Sequence, residues 1–216
     1  MAERPVFIPT TEGRALVQTR TVPFQWFAGL SVAQKQRSVD SLHAAAAKLL
    51  GLEPILEVSS KSREDLGVAL SAFNLTFRPP GGSPPLCVEC AFQASKVFAG
   101  GGPYTDIFRM SARDAKRDER LRSSGSLIGF RFSGVDWGLE PKTAFYDWLY
   151  LNALAERPEL AAQLLRYSAF TDIEFNPERS VNCQAHSVAL FVSLHRRDKL
   201  ESALTSRSAF LEMLRQ

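Results

Sequence analysis

Leu86-Cys87-Val88-Glu89-Cys90-Ala91-Phe92-Gln93-Ala94-Ser95-Lys96-Val97-Phe98 is the stretch on which the reading of the fold turns. Apolar and small residues fill most of it. Glu89, Gln93 and Lys96 recur at intervals of four and three. That spacing predicts one largely buried helix over about 86–98, with a polar stripe on one face. Such a stripe needs partners or a cavity to face. The same pattern also fits a solvated face with an ordinary charge pair.

The neighbouring segments are breakers. Arg78-Pro79-Pro80-Gly81-Gly82-Ser83-Pro84-Pro85 reads as a loop that delivers the chain to the helix. Gly100-Gly101-Gly102-Pro103 ends it. Further out, Ser31 and Gln34 form a capping box for a helix over 32–50, and Gly51 suits its left-handed stop. Val32, Val39, Leu42, Ala46 and Leu49 make its apolar stripe. Ile55–Ser59 is a short strand, and Leu66–Leu70 one or two helical turns. A helix is expected within 112–122 and an alternating strand at Leu127–Phe132. Pro141 and Pro158 each sit at a first helical turn, for helices to Ala155 and Tyr167. Two more are expected at 187–196 and 200–214. Residues 1–30 look irregular, with Pro5, Pro9 and Pro23, while Phe7, Phe24, Trp26 and Phe27 tie them to the body. The expected fold is mostly α, or α+β with a few short strands, and compact. The expected division is an extension at 1–50 and a catalytic domain at 51–216.

Composition narrows the class. The chain has 216 residues, 45% apolar and 23% charged, which argues against disorder, collagen and coiled coil. Its net charge of +3 is too small for a protein that coats nucleic acid. Residues 109–122 hold six basic side chains against three acidic ones, a surplus equal to that of the whole chain. This segment is either a phosphate-binding wall beside the glycine loop or a mixed-charge solvated helix. Three cysteines make no disulfide framework and point to a reducing compartment. With no signal peptide and no membrane span to be read, a cytoplasmic protein is expected. Cys87-x-x-Cys90 and Cys183-x-x-His186 offer a formal zinc set. No knuckle glycine or turn follows either pair, and thiols on an apolar helix are usually small hydrophobes. No metal is therefore expected. Asp172, Glu174, Asn176 and Asn182 gather in one loop, fit either for function or for turn chemistry.

Several of these residues together resemble the NADAR family. The helix Glu89-x-x-Phe92-Gln93-x-x-Lys96 with Phe98 is similar to the family's signature helix. Ser71-Ala72-Phe73-Asn74 resembles its Ser-Asn-Phe motif, with Asn74 supplying the amide. Residues 112–118, Trp137 to Lys142 and Leu164-Leu165 follow in family order. The resemblance spans about 55–195 and is greatest to the antitoxin partners of DarT-type ADP-ribosyltransferase toxins. The family's Asp-x-x-Trp-Gly is absent, and Asp172-Ile173-Glu174-Phe175-Asn176 stands in its place.

The resemblance implies an N-glycosidase that removes ADP-ribose from guanine in DNA or RNA. A toxin that attaches ADP-ribose would be its functional partner. It implies no cofactor and no membrane. An N-glycosidase of a small metabolite, such as a phosphorylated riboflavin intermediate, and a non-catalytic ADP-ribose reader are the alternatives. Glu89, Lys96 and Asp172 are the expected catalytic residues. Glu89 would move protons and Lys96 would attack ribose C1 as a free amine, with direct water attack as the rival route. Ligand binding is expected of Ser71, Phe73, Asn74, Gln93, Gly101, Tyr104, Arg113, Lys116, Trp137 and Glu174. Arg113, Lys116 and the glycine-loop amides would take the pyrophosphate. Phe73, Tyr104, Trp137 and Trp148 would stack on bases. Trp26, Lys35 and Arg37 would hold the nucleic-acid strand.

Overall fold

The computed structural model describes residues 1–79 and 84–215. The centre of the Pro/Gly loop, 80–83, lies outside the described residues. The protein is 44% helical and 18% strand, an α+β fold with several sheets. This corrects the mostly α expectation, and the correction comes from three places.

The first is the N-terminus. Residues read as irregular form the hairpin β1 (Ala2–Pro9) and β2 (Val17–Phe24), paired antiparallel along their full length. Prolines obscure strands because they donate nothing to a ladder. Here they are tolerated. β2 is an edge strand, and the other edge of β1 pairs only at Phe7, opposite Phe170. The sheet order is β2-β1-β9-β3, where β3 is Ile55–Glu57 and β9 is Ala169–Thr171. β3 and β9 run parallel, as a buried strand pair joined by a long crossover can. One sheet thus crosses the expected boundary at residue 50.

The second is the deciding stretch itself. It is not one helix. Leu86–Cys87 is strand β5, paired with β4 (Thr76–Phe77). Val88–Ala94 is a helix, α3, and Lys96–Phe98 is strand β6. Ser95 is the break. Its hydroxyl turns back onto the Ala91 carbonyl at 2.7 Å, while its own carbonyl accepts from Arg131 N–H at 2.7 Å. That second bond hands the chain to β7 (Leu127–Phe132), which pairs with β6 and with β8 (Val135–Trp137). A continuous apolar run looks alike in a buried helix and a buried strand, so periodicity could not see the change.

The third is the splitting of two other helices. The 112–122 segment is α4 (Ala112–Arg117) and α5 (Arg120–Ser123), with Asp118 extended between them. The C-terminal segment divides into α9 (Leu200–Leu204) and α10 (Arg207–Arg215), the latter started by Ser206 accepting from Ala209 N–H.

The remaining expectations hold closely. The first long helix, Val32–Leu50 (α1), is capped by the Ser31 hydroxyl on Gln34 N–H and stopped by Gly51 at φ 65°. A short helix, α2, covers Asp65–Ala69, and Pro158 opens α7 (Pro158–Leu164). Pro141 instead stands just ahead of α6 (Ala144–Ala155). α8 covers Gln184–Arg196. Helices α6 and α8 are buried on nearly all sides and form the centre of the molecule. Phe92, Phe130, Phe132, Trp137 and Phe145 pack around α6 in a continuous aromatic core. A second apolar cluster joins α1 to the hairpin sheet through Val6, Val22, Phe24, Leu42 and Ile173.

Candidate active site

The site is built on α3. Glu89 and Gln93 lie one turn apart and are both buried, each 6% exposed. Gln93 Nε2 donates to Glu89 Oε1 at 2.9 Å. The other end of that amide, Gln93 Oε1, is buried with no hydrogen-bond partner among the described residues. A buried acceptor left unpaired costs free energy, so it marks a place where a donor belongs.

Lys96 is not on the helix, yet it stays within electrostatic reach of Glu89. Its ammonium lies 4.8 Å from the Phe92 ring centroid. Burial holds its pKa below the ordinary lysine value; the Glu89 charge opposes this and the Lys116 charge adds to it. Lys116 in turn stands 5.4 Å from the ring of Phe73, which is 36% exposed. Glu89, Lys96, Lys116 and Phe73 therefore share one neighbourhood, with an exposed aromatic ring at its edge.

The turn that carries Ser71, Phe73 and Asn74 is anchored to the site by backbone. The Ala72 carbonyl accepts from Glu89 N–H at 2.9 Å, and Ala72 N–H donates to Gln184 Oε1 at 2.8 Å. The Tyr150 hydroxyl holds the preceding Leu70 carbonyl. Ser71 is buried, with its hydroxyl facing Phe73 N–H, and the Asn74 amide caps the Val68 carbonyl at 2.8 Å.

Asp172 is connected to this turn through Gln184. It is buried and follows β9 directly. Burial raises its pKa, and the Glu174 charge adds to the rise, whereas hydrogen bonds from Glu174 N–H, Phe175 N–H and the Gln184 amide oppose it. Gln184 thus links Asp172 to the Ser71 turn. The charges of both acidic groups act on Tyr146. Its ring meets Phe92 edge-on at 5.1 Å, and burial followed by the Glu89 charge raises its pKa, with Asp172 contributing.

Behind Asp172 runs a buried polar chain. Glu57 Oε1 accepts from Ser59 and from Ile173 N–H, and Glu57 Oε2 accepts from Thr171 Oγ1 at 2.7 Å. His43 Nε2 lies 2.8 Å from the same Thr171 hydroxyl. Where the Thr171 hydroxyl gives its hydrogen to an ionised Glu57, it accepts one from His43 Nε2. Burial lowers the His43 pKa to about 4, so the ring is neutral near pH 7. Burial and the Asp172 charge together push Glu57 upward.

Other expected site residues stand elsewhere. The glycine loop spends its amides internally: Gly100 N–H donates to Ser124 O and Gly101 N–H to Phe98 O. A Cβ on Gly101 would meet the Tyr104 hydroxyl at 2.5 Å, and one on Gly102 the Lys96 carbonyl at 2.4 Å. These glycines let the loop lie against β6. Tyr104 bonds the Ser124 hydroxyl under the Arg120 guanidinium, itself held by Asp106 and Asp118. Arg113 is exposed on α4. Trp137 is 3% exposed in the aromatic core, against Phe145 and Trp148. Glu174 pairs with Lys35 at 3.1 Å, at the α1 side. Among the described residues no three His, Cys, Asp or Glu side chains converge as a metal site. No helix of the described chain is long and apolar enough to cross a membrane.

Sequence reasoning missed Gln184, Tyr146, Glu57 and His43. Tyr146 and Gln184 each left one signal, a polar group inside or at the start of an apolar helix.

The whole assembly, from the hairpin to the C-terminal helix, matches a known pattern: residues 2–216 fit the family model described as DarT1-associated NADAR antitoxin. The chain is thus a NADAR protein, a class known in general for N-glycosidase activity. In particular, the chain belongs to the DarT1-associated NADAR antitoxin family, with an antitoxin role linked to a DarT1 toxin. No curated protein matches it.

Proposed function

We propose that this protein is an ADP-ribosyl glycohydrolase that cleaves the bond between ADP-ribose and guanine in DNA, undoing the toxin's modification. The observation that carries the reading is the half-buried Lys96 amine over Phe92, within electrostatic reach of the Glu89–Gln93 pair. Burial favours the free amine, which is the nucleophilic form.

Ribose C1 bonded to guanine's exocyclic nitrogen and to the ring oxygen is an N,O-acetal. The C1–O bond opens as Glu89 gives its proton to the ring oxygen, leaving a C1=N iminium. Lys96 Nζ adds to C1, its surplus proton passes through the Glu89 carboxylate to the guanine nitrogen, and the guanine amine leaves. The resulting lysine iminium takes up water, Glu89 accepting its proton. ADP-ribose departs as the aldehyde, recloses, and Lys96 is restored. Gln93 Oε1 supplies an acceptor for a ribose hydroxyl or a guanine N–H. Phe73 offers a stacking face and Lys116 a charge for phosphate.

The test is incubation with an ADP-ribosylated guanine oligonucleotide. Wild type should release ADP-ribose. Glu89→Gln and Lys96→Ala should each lose at least about a hundredfold. Borohydride with substrate should leave an adduct on Lys96. Full activity in Lys96→Ala would overturn the covalent route, and release of no ADP-ribose by wild type would overturn the function.

A further inference from the structure

A cavity of 870 Å³ lies apart from the Glu89–Lys96 centre, between the N-terminal hairpin and the loop that follows Asp172. It has the volume of a small-molecule or nucleotide site. Phe7 and Phe175 form an aromatic wall, ring centroids 6.3 Å apart and inclined at 59°. His186 meets Phe7 edge-on at 5.6 Å and also lines the cavity.

His186 is a built group. Its Nδ1 faces Asp147 Oδ1 at 3.5 Å. Asp147 is 1% exposed and is fixed by the hydroxyls of Thr143 and Ser187, both at 2.6 Å. Thr143 takes a left-handed backbone, φ 69°, to make that bond, a conformation costly for a branched residue. Burial works against a charged imidazole here, but the Asp147 carboxylate outweighs it and raises the ring above its ordinary value. Nε2 enters no hydrogen bond with any described residue. Nothing in the glycohydrolase mechanism uses this pair.

The mouth continues past Arg4 to Trp26 and to Lys35, which is paired with Glu174. Arg4 lines the cavity, and its guanidinium lies 5.3 Å from the Trp26 ring, which Lys35 also approaches at 4.6 Å. The cavity's far wall, Phe175 and Cys183, is the back of the loop that presents Asp172 and Gln184 to the active centre. An aromatic wall, a polar ring nitrogen and a flanking arginine are the parts of a single-stranded nucleic-acid subsite.

We infer that this cavity takes an unpaired nucleotide flanking the modified guanine. Its base lies against Phe7 and Phe175, and its phosphate faces His186 and Arg4. This rests on the reading of the substrate as nucleic acid. The carboxylates of Glu3 and Glu178 at the rim keep the backbone to the Arg4 side.

The experiment uses the full chain and a fluorescein-labelled, unmodified single-stranded oligothymidine. Binding is followed by anisotropy. Phe175→Ala, His186→Gln and Thr21→Trp should each weaken binding about tenfold. Thr21 is exposed on β2 at the mouth, so tryptophan there obstructs the cavity without disturbing the core. The same cavity variants should release ADP-ribose from a modified free guanosine at the wild-type rate. Cavity variants that bind the oligothymidine as tightly as wild type would overturn the inference, and so would a wild type that does not bind it. Binding that responds to the cavity variants, without any hydrolysis, would refute the glycohydrolase and leave the subsite standing.

Discussion

Lys96 and Glu89 show how burial turns common side chains into chemistry. An exposed lysine stays protonated across the physiological range, but Lys96 is held below its ordinary value of 10.5. Only its neutral form attacks C1, so kcat/KM should rise with pH through the lowered lysine pKa. Below it the rate should fall about tenfold per pH unit. A profile flat to the acid side would show that Lys96 is not the nucleophile. Behind the site, Thr171 is hydrogen-bonded to both Glu57 and His43. Thr171→Val keeps the shape and removes both bonds, leaving buried groups unpaired. It should cost about 1–3 kcal/mol, read by denaturant unfolding. The polar triplet Glu89, Gln93 and Lys96 was legible because charge in an apolar run is conspicuous. Gln184, which joins Asp172 to Ala72, 112 residues away from Gln184 in the chain, was not, because one amide at a helix start looks like a cap.

At the scale of elements, the site depends on α3 ending at Ala94 so that Lys96 begins a strand. Gly102 lets the glycine loop press against that strand. Gly102→Ala would place a Cβ 2.4 Å from the Lys96 carbonyl, at a φ of +86°. The backbone strain alone is worth about 1–3 kcal/mol, and β6 must move to relieve the clash. Melting temperature and glycohydrolase rate should both fall. Gly134→Ala is the control. Its φ is +77°, but nothing lies within 4 Å of the added carbon. It should lose stability by the backbone cost alone and keep its rate. Equal rate losses in the two variants would mean that the loop does not position Lys96. The glycine run read naturally as an anion cradle. Only the tertiary pairing with Ser124 and Phe98 reveals that the Gly100 and Gly101 amides are already taken.

At the scale of the whole molecule, the N-terminal hairpin belongs to the same sheet that positions Asp172. β9 ends at Thr171, and its neighbours are β1, from the N-terminus, and β3. Val6, Val22 and Phe24 are each no more than 3% exposed and cover Leu42, Ile55 and Ile173. The prolines that hid these strands tell nothing of what the strands cover, so the burial was legible only as a hint in the aromatics. Each such side chain contributes about 1.5–3 kcal/mol by leaving water. Three of them are comparable to the total stability of an ordinary domain, about 5–15 kcal/mol. A chain of residues 51–216 alone loses them together with α1, and with α1 the His43 partner of Thr171. It should show no cooperative thermal transition by circular dichroism and no ADP-ribose release. A sharp transition in that fragment would mean that the body folds without the hairpin and that the sheet only docks onto it. In that case residues 1–50 added as a separate peptide should bind the folded fragment, raise its melting temperature by mass action and restore ADP-ribose release.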